Sequence, residues 1–574
     1  MRFRLVFSSF VSLVLTLFFS LDSISQTKSI IVPKDKYFVD NQNKIILCTE
    51  KISNLGNIDD AADIIMQFDR NYKLKGSSRL LSYSRSYDLQ VVEDDFEDFK
   101  LFFTQLPVFS ISTESEIVDD PKVRAYLTYS DNTGIVLSSN IGIEYRGGWS
   151  QNFPKKSLDL EFWEDETGEK TIDVKFGNLR RDDDWILDAL YNEPLRINSY
   201  TAHKLWLEIH TLYYAGKAPK AKAGADVSYA ELFLNGQYQG IYMLSEQVDR
   251  KQLDLKKTDG IRIEGELVKG IEKSAASTFI RAYPFDNKSD IWDGLEMKYP
   301  DEFINWTNIY SFVDYVVYSP DEEFKNGIFN YFDIGNAIDY FIFMNVLGAS
   351  DNTGKNIYIC RYKSGEPYFY TPWDLDGTYG TVWDGTRHYL TTFELTNGLY
   401  DRLFRLNPNQ FVGKLLSRWD ELRASKLSYI SLTEGLEKNY NLLKSNNIYE
   451  REAMIWKDYR FSINDSTFMK SWIAARLEFF DEYLHRLSDA NETSKMNSYA
   501  YVAAYPTPVS DFLTIDFKGA DGTEYSMINL QGVVQKKGEL YAGKNKLEIS
   551  NFEDGIYLLV IGNTIQKISI VKKL

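Results

Sequence analysis

Apolar and polar positions alternate along this chain with two different periods, and the change falls near residue 303. Between residues 106 and 247 the runs LPVFSIST, VRAYLTYS, IGIEYRG and KKSLDLEFW alternate at every second position between polar turns, the pattern of half-buried strands. One stretch among them, PLRINSYTAHKLWLEIH, reads as a helix. The segment AELFLNGQYQGIYMLSEQ carries Asn235-Gly236 between two apolar runs; both residues tolerate positive φ, so a tight two-residue hairpin is predicted there. Beyond about Phe303 the period lengthens. WTNIYSFVDYVV and NAIDYFIFMNVLG are apolar on most faces and read as buried helices. In FVGKLLSRWDEL the residues Phe411, Val412, Leu415, Leu416, Trp419 and Leu422 recur at helical spacing, as do Ile473, Leu477, Phe480 and Leu484 in SWIAARLEFFDEYLHRL. A β-rich segment followed by a helical one predicts an α+β arrangement of two lobes over 106–487, with a ligand cleft between them.

The flanks read differently. Arg2 and Arg4 precede an apolar run from Leu5 to Leu21 and then Ser23 and Ser25, so 1–25 is predicted to be a secretory signal peptide cleaved near Gln26. No later segment is apolar enough to span a membrane, so no transmembrane segment is expected after cleavage. Residues 26–105 carry short runs such as NKIILC and YDLQVV and are expected to form a small β-rich domain. The polar stretch 488–499 is expected to be a linker, and 500–574, with DFLTIDF and GIYLLVIG, a β-sandwich.

Composition changes this picture in two places. With 65 Lys and Arg against 82 Asp and Glu, the net charge is −17 and no nucleic-acid footprint is expected overall, although a nucleotide needs only a few local lysines. Cys48 and Cys360 lie too far apart in sequence for a disulfide framework.

The candidate chemistry concentrates in SDNTGKNIYICRYKSGEPYFYTPWDLDG, Ser350 to Gly377. Gly348 is a helix stop. IYICRY and YFYTPWD then form a strand pair around KSGEP, which brings Asn356 beside Asp374, with Asp351 on the preceding loop and Asp376 two residues beyond. Carboxylate and amide oxygens converging in this way suit a hard cation such as Mg²⁺, and a further carboxylate could orient or deprotonate a hydroxyl nucleophile. The alternative is an Asp/Asn/Gly-rich surface loop, with Asp376 as a simple cap. Upstream, YRGGWSQNFPKKSLDLEF places Gly147-Gly148 and a polar turn ahead of Lys155 and Lys156, a turn whose amides can cradle phosphate beside a strand lysine. His203 and His210 could share a helix face, but four histidines and no neighbouring Cys make a metal role poor; Asp182, Asp183 and Asp184 read as a solvated turn.

Taken together, LPVFSIST, YRGGWSQNFPKKSLDL, DDDWILDALYNEPLRINSYTAHKL, YAELFLNGQYQGIYMLSEQV, DYFIFMNVLGASDNTGKN and YFYTPWDLDGTYG resemble the spore-coat protein H (CotH) kinase family, atypical secreted or surface-associated protein kinases, over about 106–487. The resemblance implies a two-lobed kinase-like fold, with Asp351 as catalytic aspartate and Asn356 and Asp374, assisted by Asp376, holding Mg²⁺ or Mn²⁺ bound to ATP. It implies that Lys156 meets the phosphates, with Lys155 as the alternative, that Arg146 and Ser150 belong to the phosphate-facing turn, and that Glu246 lies near the interlobe hinge. Arg196, on the helix, matches a further family position. Where the family shows Arg-Gly-Asn-Ser-Ser, this chain has Arg146-Gly-Gly-Trp149-Ser150. The tail, through YPTPVSDFLTI, INLQG, FEDGIYLLVIG and KISIVKK, resembles the type A sorting domain of type IX secretion in Bacteroidetes, which implies export by that machinery to the cell surface or the medium. The expectation is a secreted kinase that moves the γ-phosphoryl of ATP to Ser or Thr of a protein substrate; the rival is a non-catalytic adhesin or scaffold of the same fold.

Overall fold

The computed structural model describes residues 27–492 and 501–572, apart from 57–62, 77–79, 95, 261, 460, 506–508, 519–520, 530–532 and 562–563. The expected signal peptide lies outside the described residues. The chain from residue 27 first builds a seven-stranded mixed sheet in the spatial order Lys28–Ile31, Ile64–Gln67, Asn71–Leu74, Ser86–Val91, Asp98–Phe103, Ile45–Cys48, Tyr37–Asp40. Its strands obey the period-two rule: SYDLQV turns Tyr87, Leu89 and Val91 inward against Tyr72, Phe99 and Leu101.

The alternating segment that follows closes on itself. Gly134–Arg146, Ser157–Trp163, Asp184–Asp188, Gln237–Ser245, Val227–Leu234, Val108–Ser112 and Val123–Asp131 form a closed barrel, antiparallel except where Val108–Ser112 runs parallel to Val227–Leu234. Its interior is filled by Phe109, Tyr129, Phe162, Phe176, Trp185, Leu232 and Tyr242. Closure removes the unpaired edges that an open sheet of these strands would expose. The Asn235-Gly236 turn lies where expected, with φ of +50° and +75°. The first helix is shorter than its apolar pattern suggested. It spans Asn198–Ile209, and Arg196 precedes it with a left-handed φ of +58°, which a helix cannot accommodate.

The second half combines helices with an antiparallel five-stranded sheet ordered Ile291–Trp292, Leu295–Tyr299, Glu266–Gly270, Ile357–Arg361, Tyr368–Pro372. The helix Ile334–Leu347 packs on it with nearly every side chain buried. Asp333 caps its start by accepting from Asn336 N at 2.7 Å, and Gly348 ends it in the left-handed region at φ +66°. Helices Thr307–Tyr318, Asp321–Tyr331, Gly398–Leu406, Phe411–Arg423, Tyr429–Ser445, Ile448–Ile455 and Ile463–Glu492 complete the half. The last of these runs through 488–492, the start of the expected linker, because that stretch holds neither Gly nor Pro to stop it. Two contacts tie the barrel to its neighbours, the helical half and the first sheet. The Ile448–Ile455 helix packs on the barrel strand Gln237–Ser245, and Ile45, Leu47 and Phe102 of the first sheet share a core with Val108, Phe233 and Tyr238 of the barrel.

The tail is a sandwich of a three-stranded sheet (Tyr501–Tyr505, Phe512–Lys518, Gly543–Glu548) and a four-stranded one (Val534–Leu540, Thr523–Asn529, Gly555–Ile561, Thr564–Ile570), joined by a core of Leu513, Ile515, Phe517, Met527, Leu559 and Ile568. Among the described residues no helix is long and apolar enough to cross a membrane.

Candidate functional site

The hairpin of Ile357–Arg361 and Tyr368–Pro372 sets the site. Ile357 pairs with Pro372, and one step further out Trp373 N donates to Asn356 O at 3.0 Å. Asn356 and Asp374 then leave the ladder in the left-handed region, at φ +55° and +53°, a conformation L-residues rarely adopt and Asn and Asp tolerate best. Asn352 clamps this mouth by donating its amide to Asn356 O at 2.6 Å and Trp373 O at 2.8 Å. Both outward-turned side chains line a cleft of 360 Å³ between barrel and helical half, together with Asp351 and Asp376.

The carboxylates there are crowded, and solvent reaches them only through the cleft, onto which Asp374 is exposed. Asp374 faces the cleft, yet protein surrounds it, and burial with Asp188 beside it raises its pKa against the opposing pull of Arg146, Lys269 and Lys355. Asp376 is raised further, by burial and by Asp374, although it accepts from Gly377 N at 2.7 Å and from the Asn192 amide. Asp351 sits on the 3₁₀ turn Ser350–Thr353, half-buried, with Lys273 Nζ at 3.2 Å and Lys355 Nζ at 3.8 Å. Asp188, at the end of a barrel strand, also lines the cleft. Sequence reasoning assigned it no role, because it looks like any strand terminus until the barrel turns it toward the hairpin.

The barrel contributes cations. The strand begins at Ser157, so Lys155 lies on the preceding bend and points inward, fully buried. It donates to Ile241 O at 2.5 Å and to Glu452 Oε1 at 2.9 Å. Glu452 also takes Arg196 Nη2 at 2.9 Å and Nε at 3.1 Å. One carboxylate therefore serves two buried cations. Glu452 is held below the ordinary range by Lys155 and Arg196, while burial and the Arg196 charge push Lys155 down to about 8. The preferred assignment is thereby reversed: Lys155 lines the cleft, whereas Lys156 turns away and donates to Gln151 O within its own turn.

The other expected residues divide likewise. Arg146 and Ser150 line the cleft, with the Arg146 guanidinium 5.1 Å from the centre of the Trp373 ring. Gly147, at φ +104°, lets Ser150 fold back; a Cβ there would stand 2.0 Å from Ser150 Oγ. Trp149 is 62% exposed and meets the Trp383 ring edge-on at 5.4 Å. Glu246 does not reach the cleft. Its buried carboxylate is taken up by Arg180 N at 2.6 Å, Lys222 Nζ at 2.5 Å and Gln252 Nε2 at 3.0 Å, which makes it a brace between loops. Arg196 stands behind the cleft as the second partner of Glu452. The aspartate run is not a solvated turn either. Asp182 and Asp183 are buried and share Lys251 at 3.0 and 2.6 Å; with Asp173 they approach one another closely enough to hold a metal, but that ammonium already fills the role. His203, pushed down to about 4 by burial, and His210, paired with Asp339 at 2.9 Å, join no metal-ligating group among the described residues.

Known proteins bear on this geometry. A family model described as CotH kinase protein matches residues 143–480, more than half of the chain, and one described as secretion system C-terminal sorting domain matches 503–574. A curated relative, the inner spore coat protein H of Bacillus subtilis (strain 168), is 23% identical over 279 residues, covering 48% of this chain and 67% of that protein. The tail match marks the protein for export to the surface or the medium through type IX secretion. The first match begins within the barrel strand that ends at Arg146 and runs on past Asp376 and Glu452, so it contains every wall of the cleft. The chain belongs to the CotH kinase protein family and carries a C-terminal secretion sorting domain.

Proposed function

We propose that the protein is an exported phosphotransferase that moves the γ-phosphoryl group of ATP to a Ser or Thr hydroxyl of a protein substrate, with Mg²⁺ or Mn²⁺ as cofactor. One observation carries this reading: oxygen donors from the hairpin mouth and cations from the barrel face each other across a single cleft. The residues fit a divalent ion. Among the described residues no protein group hydrogen-bonds the Asp374 carboxylate or the Asn356 amide, and Asp188 and Asp376 crowd Asp374 so that its pKa is raised, a repulsion that a bound divalent cation would relieve. Asn356, Asp374 and Asp376 would hold the ion, which when bound neutralises charge on the phosphate oxygens.

The chain's own groups supply the rest. Lys155, fixed by Glu452 and Ile241 O, presents a cation to the phosphates, and the Gly147-Gly148 turn with Ser150 offers backbone donors beside it. Asp351, its carboxylate steered by Lys273 and Lys355, accepts the proton of the acceptor hydroxyl as its oxygen attacks phosphorus and ADP departs. The departure at Trp149 leaves this set whole, because Trp149 points to the mouth and not to the cations.

The test is transfer of label from ATP to protein by the purified chain with Mg²⁺ or Mn²⁺, beside Asp374→Ala. Transfer is expected from the parent and lost in the variant. Transfer that persists in Asp374→Ala would remove that residue from the metal site, and a parent that neither transfers label nor binds nucleotide would be a scaffold of the same fold.

A further inference from the structure

Several basic side chains elsewhere in the molecule are matched to acids: Arg418 to Asp339 at 2.8 Å, Arg423 to Asp481 at 2.8 Å, Arg451 to Glu231 at 2.7 Å. Two that line the cleft are not. Lys269 lies on the central strand Glu266–Gly270 of the five-stranded sheet, and among the described residues its ammonium has neither a hydrogen-bond acceptor nor an ion-pair partner. The carboxylate opposite it in register, Glu296, is engaged by Lys298 at 2.8 Å. Arg146 comes from the barrel wall, and among the described residues its guanidinium has no hydrogen-bond or ion-pair partner and lies 5.1 Å from the centre of the Trp373 ring. The two cations come from different walls and feel each other: burial and the Arg146 charge push Lys269 down to about 8. Both also act on Asp374, the carboxylate at the hairpin mouth. Neither cation hydrogen-bonds that carboxylate among the described residues, so the donors of both remain available in the cleft to an anionic ligand.

We propose that Lys269 and Arg146 form an oxyanion clamp that takes a terminal phosphoryl group, that of a nucleoside triphosphate under the phosphotransferase reading on which this rests. The position favours the terminal group over the inner phosphates. Lys155 serves the barrel side, whereas Lys269 and Arg146 stand beside Asp374, and Lys355 joins Asp374 to Asp351, where the acceptor hydroxyl would arrive. Nothing in the run ELVKG distinguishes Lys269 from a surface strand lysine; only the fold shows that, among the described residues, it has no partner.

The experiment is calorimetric titration of the full chain with ATP and ADP, with Mg²⁺, for the parent, Lys269→Met, Arg146→Met and Lys269→Arg, with Lys298→Met as the exposed, already paired control on the neighbouring strand. Thermal melts establish that each variant is folded. Lys269→Met is expected to weaken ATP roughly 10- to 100-fold while ADP changes by no more than about twofold, the size expected when one ligand alone forfeits a charge-assisted hydrogen bond. Arg146→Met should act in the same direction, Lys269→Arg should retain most of the preference, and Lys298→Met should leave it alone. Equal weakening for ATP and ADP, or none, would overturn the clamp. If the parent binds no nucleotide, the phosphotransferase reading fails on its own, and inorganic pyrophosphate decides the clamp. Pyrophosphate binding that Lys269→Met removes upholds it, and a parent that ignores pyrophosphate refutes it.

Discussion

The cleft has two charged regions built on opposite plans. On the barrel side, Lys155, Arg196 and Glu452 satisfy one another: every oxygen of Glu452 has a partner, and Ile241 N adds a bond at 2.8 Å. At the hairpin mouth, the side chains of Asn356 and Asp374 make no hydrogen bond among the described residues, and Arg146 and Lys269 above them have no acidic partner there. The first region is finished by folding; the second is left open by it. A saturated buried pair holds geometry, and its loss unfolds a protein; an unsaturated cluster is tolerated only where a ligand completes it. The same distinction separates Glu246, braced by four donors, from Asp374.

The largest effect should come from breaking the saturated side. Glu452→Gln leaves Lys155 and Arg196 as two buried, mutually repelling cations, and is expected to destabilise the chain by about 3–5 kcal/mol. The check is a fall in the urea midpoint with an unchanged slope. Asp374→Asn, in contrast, removes a carboxylate crowded by Asp188 and Asp376, and should hold or raise the midpoint while abolishing label transfer. Equal destabilisation by the two substitutions would erase the distinction.

Next in size is the response to ligand. A site completed by a metal and a nucleotide gains stability by mass action, about 2.7 kcal/mol at a ligand concentration one hundred times the dissociation constant. The parent should therefore melt higher with Mn²⁺ and ATP together, and Asp374→Asn should not.

How much of this was legible in the sequence follows the same line. Local signals were readable where a residue's conformation depends on its neighbours in the chain: Asn235-Gly236 at the hairpin, Gly348 at the helix end, and Asn356 beside Asp374 across a strand pair only six residues apart at its turn. Family resemblance then tied these blocks into one chain, and the family match over 143–480 agrees. What could not be read depends on distant partners. Lys155 and Lys156 are adjacent, and only the start of the strand at Ser157, with Glu452 nearly three hundred residues away, decides which one turns inward. Glu246 looked like a site residue because nothing local shows Lys222 and Gln252 closing over it. Barrel closure was equally hidden, since alternating strands read the same in an open sheet.

A third prediction separates the two cation sets from the acids by pH. Burial holds both Lys155 and Lys269 at about 8. These are bases with depressed values, so they are charged below about 8 and neutral above it. Inorganic sulfate without metal reports on them, because the dianion does not itself titrate over this range and no bound cation links it to the carboxylates. Its affinity should be level near pH 6.5 and fall above pH 8, by up to about tenfold per unit for each lysine that must be charged. In Lys269→Met the slope should become shallower, as one of the two protons no longer counts. An affinity flat from pH 7 to 9.5 would mean that neither lysine contributes charge to the cleft.

The smallest effect concerns the turn at which this chain departs from its family. Trp149 and Trp383 meet edge to face at 5.4 Å with planes at 86°, both substantially exposed, one from the barrel and one from the loop that follows the hairpin. Such a contact is worth about 0.5–1.5 kcal/mol when well packed and less where water reaches both rings. It therefore bridges the cleft mouth without holding the halves together, a task already done by Glu452 and by the packing of the Ile448–Ile455 helix on the barrel strand Gln237–Ser245. Trp149→Ala should lower stability by less than about 1 kcal/mol, while nucleotide dissociation, followed by stopped flow, quickens as the mouth opens. If Trp149→Ala instead unfolds the chain as Glu452→Gln does, the mouth belongs with the saturated side, and the division of the cleft into a finished region and an open one would have to be redrawn.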